Sequence, residues 1–128
     1  MELNFYKCVH CANILVPAVA SGVTPSCCGE TMELLKAGAV DAAVEKHVPE
    51  IVKDEDGHHV VINVGSVAHP MADDHYIEVV VLCYESRTYI FRLKPGEEPS
   101  VKCSIRDNSV PLTAYAYCNL HGLWKVDV

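Results

Sequence analysis

The sequence predicts an all-β protein in which a small metal-organised segment precedes an antiparallel sandwich of roughly seven short strands. Three observations carry this. From residue 58 onward, runs rich in β-branched and aromatic residues alternate with turn residues. No stretch shows a sustained helical period. Residues 1–36 hold four cysteines but too little apolar material to close a core unaided, which fits a segment that folds around a metal. The boundary falls at Lys36-Ala37-Gly38, a linker, giving domains 1–36 and 37–128.

In the first domain, Leu3-Asn4-Phe5-Tyr6 and Ile14-Leu15-Val16-Pro17 read as strands, with turn chemistry at Ser21-Gly22. Asp41-Ala42-Ala43-Val44-Glu45-Lys46 predicts about a turn of helix that stops before Pro49, because the residue preceding a proline resists helical dihedrals. The sandwich strands follow at His59–Val64, Ile77–Tyr84, Arg87–Leu93, Ser100–Ile105 and Thr113–Tyr117. Gly57, Gly65, Glu85-Ser86, Pro95-Gly96 and Asp107-Asn108-Ser109 separate them. Cys83 and Cys103 fall inside strands and read as small buried hydrophobes. His58 and His59 follow an acidic turn and are expected to face solvent.

Composition narrows the function. Half of the 128 residues are apolar, so a packed core is expected. The net charge of −7 and the lack of clustered Lys and Arg argue against nucleic acid as a partner. No apolar run is long enough for a membrane span and no secretory signal is evident, so the expected compartment is cytoplasmic. Seven cysteines, several at short spacing, read in a reducing compartment as metal ligands rather than disulfides.

Two constellations carry the chemistry. Cys8-Val9-His10-Cys11 is followed after fifteen residues by Cys27-Cys28-Gly29. Two such pairs build a tetrahedral thiolate site for iron or for zinc, and spacing alone leaves both open. Adjacent cysteines would diverge in a regular strand, so the backbone must turn at Cys28, with Gly29 supplying permissive dihedrals. His10 reads as a solvated spacer. The second constellation is Tyr117-Cys118-Asn119-Leu120-His121-Gly122-Leu123-Trp124, which sets a thiol and an imidazole three residues apart in an apolar surround. A sulfur ligand beside nitrogen ligands suits a transition metal. His47, His69 and His75, each in a short turn-like segment, are the candidates for the remaining ligands.

Taken in order, Phe5-Tyr6-Lys7-Cys8, Cys27-Cys28-Gly29, Asp41-Ala42-Ala43, Glu45-Lys46-His47-Val48-Pro49, His69-Pro70-Met71, His75-Tyr76-Ile77-Glu78 and Tyr117–Trp124 resemble the desulfoferrodoxins, two-iron superoxide reductases. The resemblance spans essentially the whole chain. It implies a desulforedoxin-like first domain holding iron through Cys8, Cys11, Cys27 and Cys28, and an immunoglobulin-like β-sandwich. The sandwich's iron would take His47, His69, His75 and His121 in a plane and Cys118 along the axis. The implied reaction is the one-electron reduction of superoxide to hydrogen peroxide. Lys46 would attract the anion and order a proton-delivering water, and Glu45 would occupy the open iron position after product leaves.

The same resemblance implies re-reduction by rubredoxin or a similar small donor, a homodimer, and a role in removing superoxide in an anaerobe or microaerophile. A non-enzymatic electron carrier or a zinc-ribbon interaction module is the alternative, and the visible colour of iron(III)-thiolate discriminates against zinc. Two positions depart from the family's usual pattern: Ala12 stands where glycine usually follows the second knuckle cysteine, and Val79 where a tryptophan often follows Ile77-Glu78.

Overall fold

Alternation of side-chain burial along the strands defines the architecture. The computed structural model describes residues 2–128, which fall into two compact units, Glu2–Lys36 and Ala37–Val128. In the first unit, β1 (Tyr6–Lys7) lies between β2 (Ile14–Leu15) and β5 (Glu33–Leu34), while β3 (Ser26–Cys27) and β4 (Glu30–Thr31) form a hairpin. Only Phe5, Tyr6, Cys8 and Met32 are buried there, a core far too small to hold the unit by apolar burial alone.

The second unit begins with a single helical turn, α1 (Val44–His47), followed by seven strands. These are β6 (Pro49–Lys53), β7 (His59–Val64), β8 (Ile77–Tyr84), β9 (Arg87–Arg92), β10 (Ser100–Ser104), β11 (Leu112–Cys118) and β12 (Gly122–Asp127). One antiparallel sheet has the order β10-β7-β6 and the other β12-β11-β8-β9, as expected of a sandwich. The inward residues of β7, Val60, Ile62 and Val64, meet Val80, Leu82, Ala114, Ala116 and Cys118 of the facing sheet in one apolar cluster. Every residue of β11 is buried, and β12 and β8 pair with it on either side.

The predicted elements and the observed ones agree in class and differ in extent. The first strand starts at Tyr6 rather than Leu3, and the helical turn runs later than expected, reaching His47. Val48 then becomes extended, with φ −69° and ψ 120°, as its neighbour Pro49 requires. Two sandwich strands were not anticipated. β6 carries Pro49, Glu50 and Lys53 and shows no clear alternation, but it pairs with β7 alone in its sheet, and an edge tolerates proline and charge. β12 was hidden inside the Cys118–Trp124 motif, where a glycine and mixed polarity obscure the period.

Cys83 and Cys103 are buried as expected, and burial holds both thiols above their usual range, in the unreactive neutral form. His58 is exposed, and half-buried His59 pairs its ring Nδ1 with the Asp56 carboxylate. Val79 is half-buried and sits between Tyr117 and Arg92 in the ladder.

Candidate metal centres

The first cluster is built by two tight turns. Cys8 leaves β1 and its carbonyl accepts the Ala12 amide at 3.1 Å, closing the knuckle. Ala12 there takes φ 64°, a left-handed conformation that glycine enters without cost and alanine does not. The second pair uses the hairpin between β3 and β4: Cys27 pairs with Glu30, and Cys28 and Gly29 form the two-residue turn with φ 52° and 76°. Two consecutive left-handed residues are what such a hairpin demands, and they bring neighbouring thiols to one side. Cys11 and Cys27 Sγ stand 3.6 Å apart, Cys27 and Cys28 Sγ 3.9 Å. The four sulfurs all lie within 4.8 Å of one another.

The electrostatics of this cluster call for a cation. The amides of Cys11 and His10 donate to Cys8 Sγ at 3.5 and 3.4 Å and hold its pKa down at about 6. Cys28, which shares its proton first with Cys11 and then with Cys8 and Cys27, is pushed up to about 12. Four thiolates cannot coexist at this spacing without compensating positive charge, so the donor set fits a tetrahedral metal. His10 is exposed and points its ring nitrogen at Glu30, 3.4 Å away, as a spacer would.

The second cluster gathers His47, His69, His75, Cys118 and His121, with ligand atoms again within 4.8 Å of one another. His47 ends α1. His69 and His75 lie in the connection between β7 and β8, where an isolated bridge pairs Ala72 with His75. Cys118 ends β11, at a bulge that shifts the register between Tyr117 and itself, and His121 sits in the turn to β12. Adjacent rings in the order His47, His69, His75, His121 have centroids 4.6, 4.7, 5.0 and 4.9 Å apart and interplanar angles of 78° to 88°. His47 and His75 face each other across 6.5 Å, close to the diagonal that a square with those sides requires.

Proton bookkeeping tests whether this square fits a metal. His47 Nδ1 donates to the Ala43 carbonyl at 2.7 Å, and His69 Nδ1 to the Pro70 carbonyl at 2.6 Å. Each ring therefore turns an unprotonated Nε2 inward, and the two Nε2 atoms stand 3.1 Å apart. His121 Nδ1 lies 3.1 Å from His47 Nε2 and 3.9 Å from Cys118 Sγ. His75 Nε2 is buried with no hydrogen-bond partner. Converging lone pairs and an orphaned buried nitrogen are unfavourable in an empty protein and natural around a cation.

Burial lowers the pKa of His47, and of His69 to about 4, so both stay neutral and ligand-competent at neutral pH. Burial likewise raises the Cys118 thiol, whose thiolate needs a bound cation to be stable. Cys118, His47 and His69 are buried, while His75 and His121 are half-exposed, so solvent reaches the cluster past the latter pair. Trp124 lies 5.0 Å from His47, tilted by 32°, and donates its indole N–H to the His121 carbonyl at 3.0 Å.

Glu45 and Lys46 are exposed on α1, immediately ahead of His47. Their backbone is held from below: the Val67 amide and the Ser66 hydroxyl donate to the Glu45 carbonyl at 2.8 and 3.3 Å. Gly65 packs so closely beneath that a Cβ there would fall 2.7 Å from the Glu45 oxygen and 2.8 Å from that of Val48. From the sequence Gly65 reads only as a strand separator, and Asn119, which bonds to the chain on both sides of His75, only as part of the Cys118 motif. An asparagine between two candidate ligands was the available signal for the second, and nothing in the sequence marks the close backbone approach at the first.

Comparison with known proteins places these clusters in context. The desulfoferrodoxin family model matches residues 39–127. The desulfoferrodoxin of Nitratidesulfovibrio vulgaris is 45% identical over 98% of this chain and 97% of its own length. That of Syntrophotalea carbinolica is 42% identical over 97% and 95%. Among solved structures, the superoxide reductase from Treponema pallidum superposes with a TM-score of 0.78 at 32% identity, covering 98% of this chain and 99% of that one. The superoxide reductase (1Fe-SOR) from Giardia intestinalis gives 0.56 at 35% identity, over 66% of this chain and 97% of its own.

Proposed function

Because the chain belongs to the desulfoferrodoxin family, we propose that its four-histidine, one-cysteine cluster reduces superoxide to hydrogen peroxide, as the names of its structural relatives indicate. The protein is a superoxide reductase, and its two clusters are iron sites. One observation carries the reading: four imidazoles stand at the corners of a square with a buried thiol beside them, a donor set that suits a redox iron. Iron held there would supply the single electron that the reduction needs.

The residues do the rest. His47, His69, His75 and His121 would hold the metal through ring nitrogens, and the buried Cys118 would bind as thiolate. Lys46 sets a positive charge on the exposed turn ahead of His47, in a chain of net charge −7 that otherwise repels a small anion. It would draw superoxide in and order the water that delivers protons. Glu45, beside it, carries the carboxylate that would fill the open side once product departs. Cys8, Cys11, Cys27 and Cys28 would bind the other iron, which organises the first domain, residues 1–36, while residues 37–128 form the catalytic domain.

The partner and compartment readings continue from the same family. A rubredoxin-like carrier would return the electron, two copies would associate, and the protein would remove superoxide in the cytoplasm. Exposed Leu15, Val19, Val23 and Leu34 on the first unit supply apolar surface of the kind that a second copy covers. Among the described residues no helix is long and apolar enough to cross a membrane.

The deciding experiment measures hydrogen peroxide formed per superoxide consumed with a reductant present. A one-for-one yield without oxygen evolution is expected. Half that yield with oxygen release would mean dismutation, and no consumption of superoxide would leave an electron carrier.

A further inference from the structure

The four histidines are not held alike. His47 and His69 are each fixed by a ring hydrogen bond to a backbone carbonyl, and His121 follows Cys118 closely in the same tight turn. His75 has no such tether: its Nε2 is buried and unpartnered, and among the described residues no hydrogen bond holds its ring. Its aim must come from its backbone. That backbone belongs to a short loop in which Ala72 and His75 exchange hydrogen bonds, at 2.9 Å from the Ala72 amide and 3.2 Å from the His75 amide.

Asn119 grips this loop from the outside at three points. Its Oδ1 accepts the Tyr76 amide at 3.0 Å, its Nδ2 donates to the Asp74 carbonyl at 3.0 Å, and its own amide donates to the Tyr76 carbonyl at 3.2 Å. The two side-chain bonds therefore close on the residues immediately before and after His75. A carboxamide is the side chain that offers one acceptor and one donor at this reach; a carboxylate would set negative charge against the Asp74 carbonyl. Asn119 also adjoins Cys118, so the clamp ties the least restrained imidazole to the strand end that carries the sulfur.

We propose that Asn119 is the positioning residue for His75: its carboxamide sets that imidazole in register with Cys118 and His121 and so governs how firmly the second site holds its metal. This deepens the functional reading above and rests on the cluster being the iron centre. Outer-shell partners of metal ligands change metal affinity by about ten- to a hundredfold when removed, and Asn119 acts in that way through the backbone instead of through the ring.

The test follows iron, by the half-time of its loss from the sandwich site to a strong chelator and by the thiolate-to-iron absorption band, in the full-length iron-loaded protein. Asn119→Ala should release that iron about ten- to a hundredfold faster and shift the band, with the four-cysteine iron retained, and Asn119→Asp should fall between it and the parent. In a His75→Ala background, Asn119→Ala should add nothing further, because the ligand it positions is gone. Release within about twofold of the parent, or the same acceleration whether or not His75 is present, overturns the proposal. If Asn119→Ala does not fold, the same cycle is run with Asn119→Asp, which keeps the size and one of the two side-chain bonds. A parent protein that binds no iron at this cluster would instead defeat the functional reading, so the two failures are distinct.

Discussion

Single residues here do work that their chemistry alone would not reveal. Lys46 is an ordinary exposed lysine by burial, yet it occupies the position ahead of a ligand in an acidic protein. Replacing it, as Lys46→Ile, should slow the second-order reaction with superoxide about tenfold or more and flatten its dependence on ionic strength. Iron content should not change, and stopped-flow traces at two salt concentrations decide the matter. Ala12 offers a gain instead of a loss. Its left-handed backbone costs an alanine about 1–2 kcal/mol, and glycine gives back part of this through its larger unfolded-state entropy, so Ala12→Gly should stabilise the first unit modestly, by up to about 1 kcal/mol. Gly65→Ala should do the reverse. The added methyl meets two backbone oxygens that cannot rotate away, so the turn carrying Glu45, Lys46 and His47 must shift. A cost of about 1–3 kcal/mol in urea denaturation, with a displaced iron-thiolate band, is expected.

Elements differ in what holds them. The five strands of the first unit are two residues each and bury almost nothing, so their order depends on the four sulfurs. Cys11→Ser should therefore make residues 2–36 open to proteolysis while the sandwich keeps its β-sheet circular dichroism and its own iron. Limited digestion followed by mass spectrometry reads this directly.

How far such elements could be read beforehand follows from their packing. β7 and β8 announce themselves because runs of Val and Ile leave no helical alternative. Both clusters were legible too, since Cys8, Cys11, Cys27 and Cys28, and Cys118 with His121, stand at spacings that chemistry recognises, while His47, His69 and His75 are separated from Cys118 and needed the fold to meet it. β6 was not legible, because an edge strand that opens with proline and carries charges satisfies no periodic rule. Gly65 was legible as a strand separator but its packing role was not: a close approach between two backbones leaves no trace in either segment.

The molecule as a whole is acidic, and several of its carboxylates are tuned by the fold. The amide of His58, with His59, holds Asp56 below the usual carboxylate range; the Ser109 hydroxyl does so for Asp107, and the Thr113 hydroxyl for Asp127. A carboxylate that ionises more easily when folded favours the folded state fully above its unfolded value, about 3.9, and loses that contribution as pH falls through the folded value. Stability from these groups should hold level from neutrality down to about pH 5 and decline below about pH 4. Asparagine at all three positions should flatten the decline, seen as a smaller shift of the urea midpoint with pH. Buried Cys83 and Cys103 should stay unlabelled by thiol reagents until the sandwich unfolds.

The placement of the two donor sets along the chain also sets a timetable for the newborn polypeptide. All four sulfurs of the first cluster have been made once Cys28 is complete, so that iron can be captured while most of the sandwich has yet to be synthesised. The second set cannot close until His121 has emerged and β11 has found β8. At about 5–20 residues per second, several seconds to about twenty separate the two moments. His47, His69 and His75 are made within that interval and meet their sulfur only at its end.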